Sequence, residues 1–238
     1  MSKSTTTPPL RIHYFSDILC VWAYLAQIRL DELVKNYSSK IEMSYHFMPV
    51  FGCTNHRIGE GWKEKGRFAG FSKHTHEVCE AYPHVELHED VWSVNTPKTS
   101  ATSHLVIKAV QCLVDSQIIP NEPNSDLGHR TLFEEFIWQI RLAFFRDAKD
   151  ISNMEVLLNI AKNLQLPVAE IQHAINDGSA LAELFRDVEL KDEYGIEGSP
   201  TYILNEGRQK LYGNVGYRII EANLQEILKQ PDIEASWC

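Results

Sequence analysis

In Phe15-Ser16-Asp17-Ile18-Leu19-Cys20-Val21-Trp22-Ala23-Tyr24-Leu25 the chain changes its hydrophobic period. Leu10 to Phe15 is a β-branched and aromatic run that reads as a strand. From Val21 the apolar residues take helical spacing: Trp22, Ala26, Leu30, Leu33 and Tyr37 share one side, with Arg29, Asp31, Glu32, Lys35 and Asn36 opposite. Cys20 therefore stands at a strand-to-helix turn, where unpaired amide N–H groups and the positive end of the helix dipole converge. Such a position lowers a thiol pKa and favours a thiolate near neutral pH. The plain alternative is a small buried apolar residue, as most free cysteines are.

A second informative piece lies far along the chain, in Tyr194-Gly-Ile-Glu-Gly-Ser199-Pro200-Thr-Tyr-Ile-Leu-Asn205. A proline after a Gly-Ser turn opens a strand over Thr201 to Leu204, a position where proline is tolerated. A cis Ser199–Pro200 bond is expected in so tight an approach.

A cysteine at a strand-helix turn, with a distant Gly-Ser-Pro-Thr opening a strand, resembles the thioredoxin fold. The resemblance is to its DsbA-like branch, which holds FrnE-type oxidoreductases, 2-hydroxychromene-2-carboxylate isomerases and kappa-class glutathione transferases. It runs from about Arg11 to Leu228. It implies an α/β, thioredoxin-like fold with a large all-helical insertion. The resulting division is a disordered tail at 1–9, a thioredoxin-like domain from 10–52 and 195–230, a helical insertion domain at 53–194 and a tail at 231–238. Asp17 to Leu25 resembles the DsbA-like active-site segment, where Cys-Pro-x-Cys is usual. Cys20 falls on the first cysteine, Ala23 on the second and Val21 on the proline. The resemblance makes Cys20 the nucleophile and leaves it without a resolving thiol. Trp22 would cover the site, and Ser199 and Pro200 would shape the substrate groove beside Ala23. Glutathione-using relatives carry an acidic residue in the last strand-to-helix turn, where it meets the ammonium group of glutathione. Here that turn is Tyr212-Gly-Asn-Val-Gly-Tyr217, with Asn214 as a weaker substitute.

The chain as a whole narrows the setting. Its 238 residues suffice for a large core, and 44% hydrophobic with 23% charged residues is ordinary for a soluble globular protein. A formal net charge of -9 argues against nucleic acid or an anionic membrane as main partner. Met1 to Pro9 lacks the apolar core of an export signal, and no run is long enough to span a bilayer. The expectation is a cytoplasmic, reducing setting, in which the five cysteines (Cys20, Cys53, Cys79, Cys112, Cys238) are free thiols.

Ile41 to Met48 alternates as a second strand, so the first helix reads as a parallel crossover. From Cys53 to Asp90 the period is lost, and short helices with loops are expected. His84-Val-Glu-Leu-His88 has the spacing of two ligands on a helix face, with His74, His76 and Cys79 as further donors. Surface histidines are the better reading, and no metal is assigned. Helices follow at 100–116 (Ala101, Leu105, Ala109, Cys112 and Leu113 inward), 129–145, 152–164 with a capping box from Ser152 to Glu155, 168–176 and 179–194. Strands at 201–204 and 210–212, joined through Gly207, precede a closing helix at 217–229. Trp237 and Cys238 could dock on a partner subunit, and a homodimer fits the habit of the relatives.

Three chemistries remain open. A monothiol oxidoreductase would attack a thiol or disulfide substrate with Cys20 and be released by glutathione, a co-substrate rather than a tightly bound cofactor. A transferase or isomerase would use the position of Cys20 to hold the thiolate of glutathione, as serine does in those relatives. A non-catalytic binding module would use neither.

Overall fold

The computed structural model describes residues 9–229, so the expected tails, Trp237 and Cys238 lie outside the described residues, apart from Pro9. Strand β1 (Leu10–Ser16) buries Ile12, Tyr14 and Phe15 and pairs in parallel with β2 (Ile41–Phe47), Leu10 opposite Ile41 and Ser16 opposite Phe47. Parallel neighbours need a crossover, and α1 (Val21–Tyr37) provides it, burying Ala23, Ala26, Leu30 and Leu33. After β2 come α2 (Arg67–Glu80), α3 (Ala101–Asp115), α4 (Leu132–Phe145), α5 (Met154–Asn163), α6 (Val168–Asn176) and α7 (Ser179–Glu193). The chain then returns with β3 (Thr201–Leu204), β4 (Gln209–Tyr212) and α8 (Tyr217–Lys229). The sheet order is β2-β1-β3-β4, with β3 antiparallel to both β1 and β4. One buried cluster runs from Ile12 and Leu25 through Phe136 and Phe144 on α4 to Leu157 on α5. No helix among the described residues is long and apolar enough to cross a membrane.

Several local expectations shift, each for a physical reason. Residues 82–92 form turns, so His84 and His88 do not share a helix face. On α3, Ala109 and Leu113 are buried as expected and His104, Ile107, Lys108 and Val110 join them, whereas Ala101, Leu105 and Cys112 are only half-buried. Polar side chains can face inward there because each finds a partner, such as Ser103 Oγ donating to the Ile151 carbonyl at 2.6 Å. Helix α4 starts later than expected, at a capping box in which Thr131 and Glu134 satisfy each other's backbone N–H groups. In α5 the cap is Asn153, whose Oδ1 accepts the Glu155 N–H at 2.9 Å, while Ser152 bonds Asp150 instead. The β3–β4 hairpin needs positive φ at Gly207 (92°), which glycine adopts without Cβ strain.

Two buried carboxylates tie the helices to the sheet. Asp187 on α7 accepts from Lys108 Nζ on α3 at 3.0 Å, from the Phe47 N–H at 2.8 Å, and bonds His46 Nδ1 at 2.7 Å. Asp17, fully buried in the β1–α1 turn, works at the same end of the sheet, just past the Ser16–Phe47 pair. Its Oδ1 accepts the Leu19 N–H, and its Oδ2 accepts both the Phe51 N–H and the Ser100 hydroxyl, all at 2.8 Å. Its own N–H donates to Ser199 Oγ at 2.9 Å. Asp17 thus joins the turn before α1, the exit from β2, the start of α3 and the approach to β3. Asp17→Asn keeps the volume but puts a donor where donors already point. A loss of about 3 kcal/mol in urea unfolding is expected, the order seen when a buried charged network loses one partner. A loss under about 0.5 kcal/mol, the usual range for an uninvolved surface position, would contradict this role.

Candidate active site

Cys20 is the N-cap residue of α1, with extended backbone (φ -78°, ψ 115°). Its carbonyl already accepts the N–H groups of Ala23 and Tyr24 at 3.1 Å, so its side chain lies among the free donors of the first turn. The amides of Trp22 and Ala23 act on the thiol in the direction that favours its thiolate. The thiol donates to the carbonyl oxygen of Ser199 at 3.3 Å. The Ser199–Pro200 bond is cis, as expected from the sequence. Since Ser199 Oγ is held by the Asp17 N–H, one short network sets both sides of this sulfur–carbonyl contact.

The electrostatics differ from the sequence expectation in one respect. Cys20 is only 7% exposed, and burial pushes its thiol above the ordinary value. The Ser199 side chain and the amides of Trp22 and Ala23 pull the other way, and the neighbouring Asp17 carboxylate adds to the rise. The helix N-terminus is there, but desolvation of the sulfur outweighs it. His104, buried beside Asp17 (Nε2 to Oδ1 3.7 Å), is held neutral by burial and accepts the Ile18 N–H at 3.1 Å. It thus braces the turn rather than supplying a cation to Cys20.

Trp22 is half-buried next to Cys20, its ring edge-on to Tyr82 with centroids 6.5 Å apart. Ala23 is fully buried, and its carbonyl accepts from Arg141 Nη1 at 2.8 Å. Pro200 is buried and Ser199 half-buried. Asn214 reaches the same side of the molecule: its Nδ2 donates to the Tyr82 hydroxyl, and its Oδ1 accepts from Arg29 Nη1 at 2.6 Å. The oxygen that an ammonium group would need is therefore bonded to a cation. Tyr212, 61% exposed, lies over Gly198: a Cβ added there would fall 2.6 Å from the tyrosine hydroxyl oxygen.

The other thiols stand apart from this arrangement. Cys53 is exposed, Cys112 is half-buried, and burial pushes the Cys79 thiol up to about 11. Cys20, Cys53, Cys79 and Cys112 are all free. His84 Nε2 bonds the Leu25 carbonyl and His88 Nδ1 accepts the Asp90 N–H. No group of three or more His, Cys, Asp or Glu among the described residues is placed to hold a metal.

Sequence reasoning missed Arg29, Tyr82, Arg141 and Tyr212, and saw Asp17 only as part of a motif. Arg141 carried a signal: a lone arginine within the apolar run Phe136 to Phe145 either breaks the pattern or is buried for a purpose. Tyr82 and Arg29 carried none, because only the fold brings them to Asn214.

A thioredoxin family model matches residues 126–229. A curated relative, the ClpXP adapter protein SpxH of Bacillus licheniformis, is 30% identical over 109 residues, covering 44% of this chain and 36% of that protein. The chain thus spans little more than a third of the length of that relative. Among solved structures, a protein disulfide isomerase candidate from Nitrosomonas europaea superposes with a TM-score of 0.71 at 14% identity, over 93% of this chain and 98% of that one. The cytosolic disulfide reductase DsbM of Pseudomonas aeruginosa, solved with glutathione, gives 0.62 at 18% identity, over 91% and 100%. The chain has the thioredoxin-like fold of the DsbA-like proteins, with a helical block inserted between its second and third strands.

Proposed function

We propose that this protein is a thiol-disulfide oxidoreductase with Cys20 as its single nucleophile, coupled to glutathione in a reducing, cytoplasmic setting. The observation that carries the reading is the Cys20 sulfur at the start of α1, 3.3 Å from the Ser199 carbonyl, with Ala23 where a second thiol would stand. In the forward step the Cys20 thiolate attacks one sulfur of a disulfide. A new sulfur–sulfur bond forms, the old one breaks, and the leaving thiolate takes a proton from water. A glutathione thiolate then attacks the mixed disulfide, restores Cys20 and carries off the bound half as a new disulfide. The structural likeness to DsbM, a cytosolic disulfide reductase solved with glutathione, supports this reading.

The raised Cys20 pKa gives substrate docking a task. A substrate backbone N–H that pairs with the Ser199 carbonyl, as in strand addition, competes for the acceptor that the Cys20 thiol uses. The thiol loses a partner that only its protonated form can satisfy, and the amides of Trp22 and Ala23 are left to favour the thiolate.

Cys20 alkylation in the free protein should rise with pH to a half-point above the ordinary thiol value, because burial favours the neutral form. Peptide mapping across a pH series measures this, and a half-point below the ordinary value would contradict the desolvation account. Ala23→Cys tests the chemistry. Residues three apart on a helix are neighbours, so an internal disulfide should form and insulin reduction should no longer need glutathione. Cys20→Ser should abolish turnover in both backgrounds. Retained glutathione-dependent turnover in Cys20→Ser would favour the transferase or isomerase reading. No turnover in any variant would favour a binding module, a role closer to the adapter SpxH.

A further inference from the structure

Along α1, which Cys20 caps, this acidic chain carries positive charge that no carboxylate among the described residues bonds. The net charge is -9, yet neither Arg29 nor Arg141 has a carboxylate within salt-bridge distance among the described residues. Arg141 is 1% exposed and is spent on the Ala23 carbonyl and on Ser16 Oγ, at 2.8 and 3.0 Å. Its Nε and the hydroxyls of Tyr14 and Tyr202 are buried without a hydrogen-bond partner. Burial pushes Tyr14 up to about 12, while both Arg141 and Arg29 act on it in the opposite sense. A cation partly out of water with no counter-charge is costly unless something supplies one.

Arg29 is the member of this pair that solvent reaches. It is half-buried, and among the described residues its hydrogen bond is to Asn214 Oδ1. Nine residues after Cys20, its Cα lies about 13 Å further along the helix axis. Nine residues of helix also turn it by about 900°, half a turn away from Cys20, whereas seven residues from Trp22 bring it to within about 20° of the Trp22 face, so the route from the sulfur to Arg29 runs along Trp22. Tyr82 links the two: its hydroxyl accepts from Asn214, leaving its own proton to donate, and its ring meets Trp22. Trp22, Tyr82, Asn214 and Arg29 therefore form a continuous wall leading away from Cys20. We propose that Arg29, oriented by Asn214 and flanked by Tyr82, is a subsite for an anionic group, a carboxylate foremost, on the substrate whose sulfur reacts with Cys20. This deepens the oxidoreductase reading and rests on it.

Three symmetric disulfides of equal length test it, those of mercaptohexanoate, mercaptohexanol and aminohexanethiol. Formation of the Cys20 mixed disulfide is followed by intact mass and peptide mapping. In the wild type the carboxylate compound should react about tenfold faster than the alcohol, and the ammonium compound slower still. Raised salt should narrow that spread. Arg29→Gln should bring the carboxylate-to-alcohol ratio near one, and Arg29→Glu should invert it in favour of the ammonium compound. Asn214→Ala, which frees Arg29 without removing charge, should weaken the preference. Equal wild-type rates, or a carboxylate preference that survives Arg29→Gln, would overturn the subsite while leaving the oxidoreductase reading intact. If none of the three reacts at Cys20, the oxidoreductase reading fails. The subsite is then read by the Arg29 Nε–H resonance with S-methylated mercaptohexanoate, which cannot exchange: a saturable shift supports it and an unmoved resonance ends it.

Discussion

The Asp17 carboxylate is the constraint on which the site rests. It is fully buried and takes donors from Leu19, Phe51 and Ser100, while its backbone N–H holds the Ser199 hydroxyl. These donors come from segments far apart in sequence, and in an apolar interior none of them could be left open cheaply. Closing all of them on one residue places the start of α1 against the approach to β3. The Cys20 sulfur and the Ser199 carbonyl come within 3.3 Å as a consequence. Arg141 reinforces the arrangement from α4, gripping the first turn of α1 and the end of β1 together.

That same enclosure sets the chemistry. A helix N-terminus favours a thiolate, but a sulfur only 7% exposed loses more from desolvation than two amides return. The free site therefore holds a protonated Cys20 bonded to Ser199. In the proposed reaction a substrate that competes for the Ser199 carbonyl would change the balance at the sulfur it is about to meet, which would tie reactivity to docking. In that proposed reaction Ala23 then decides the fate of the intermediate, since no thiol one turn along can displace the bound partner.

Much of the fold was legible because it is written in period and punctuation. The switch at Cys20, the alternation of Ile41 to Phe47, and the proline and glycines around β3 all survive as elements near their expected bounds. What escaped depends on partners far away in sequence. His104 and Lys108 face inward on α3 because Ile18 and Asp187 await them, so the polar residues there mislead a reading by hydrophobicity alone. Cys20, Ser199 and Asn214 could be singled out from local motifs. The sign of the Cys20 shift could not, since it turns on burial, and neither could the union of Arg29, Asn214 and Tyr82.

The central claim, a lone nucleophile that must hand its adduct to an external thiol, is tested most directly by mass. The wild-type protein is incubated with glutathione disulfide, mapped by peptide mass, and then treated with excess reduced glutathione. The account predicts a single glutathione adduct on Cys20 that the second treatment removes, restoring the free thiol. An adduct confined to Cys53, Cys79 or Cys112, or an unmodified Cys20 throughout, would contradict it.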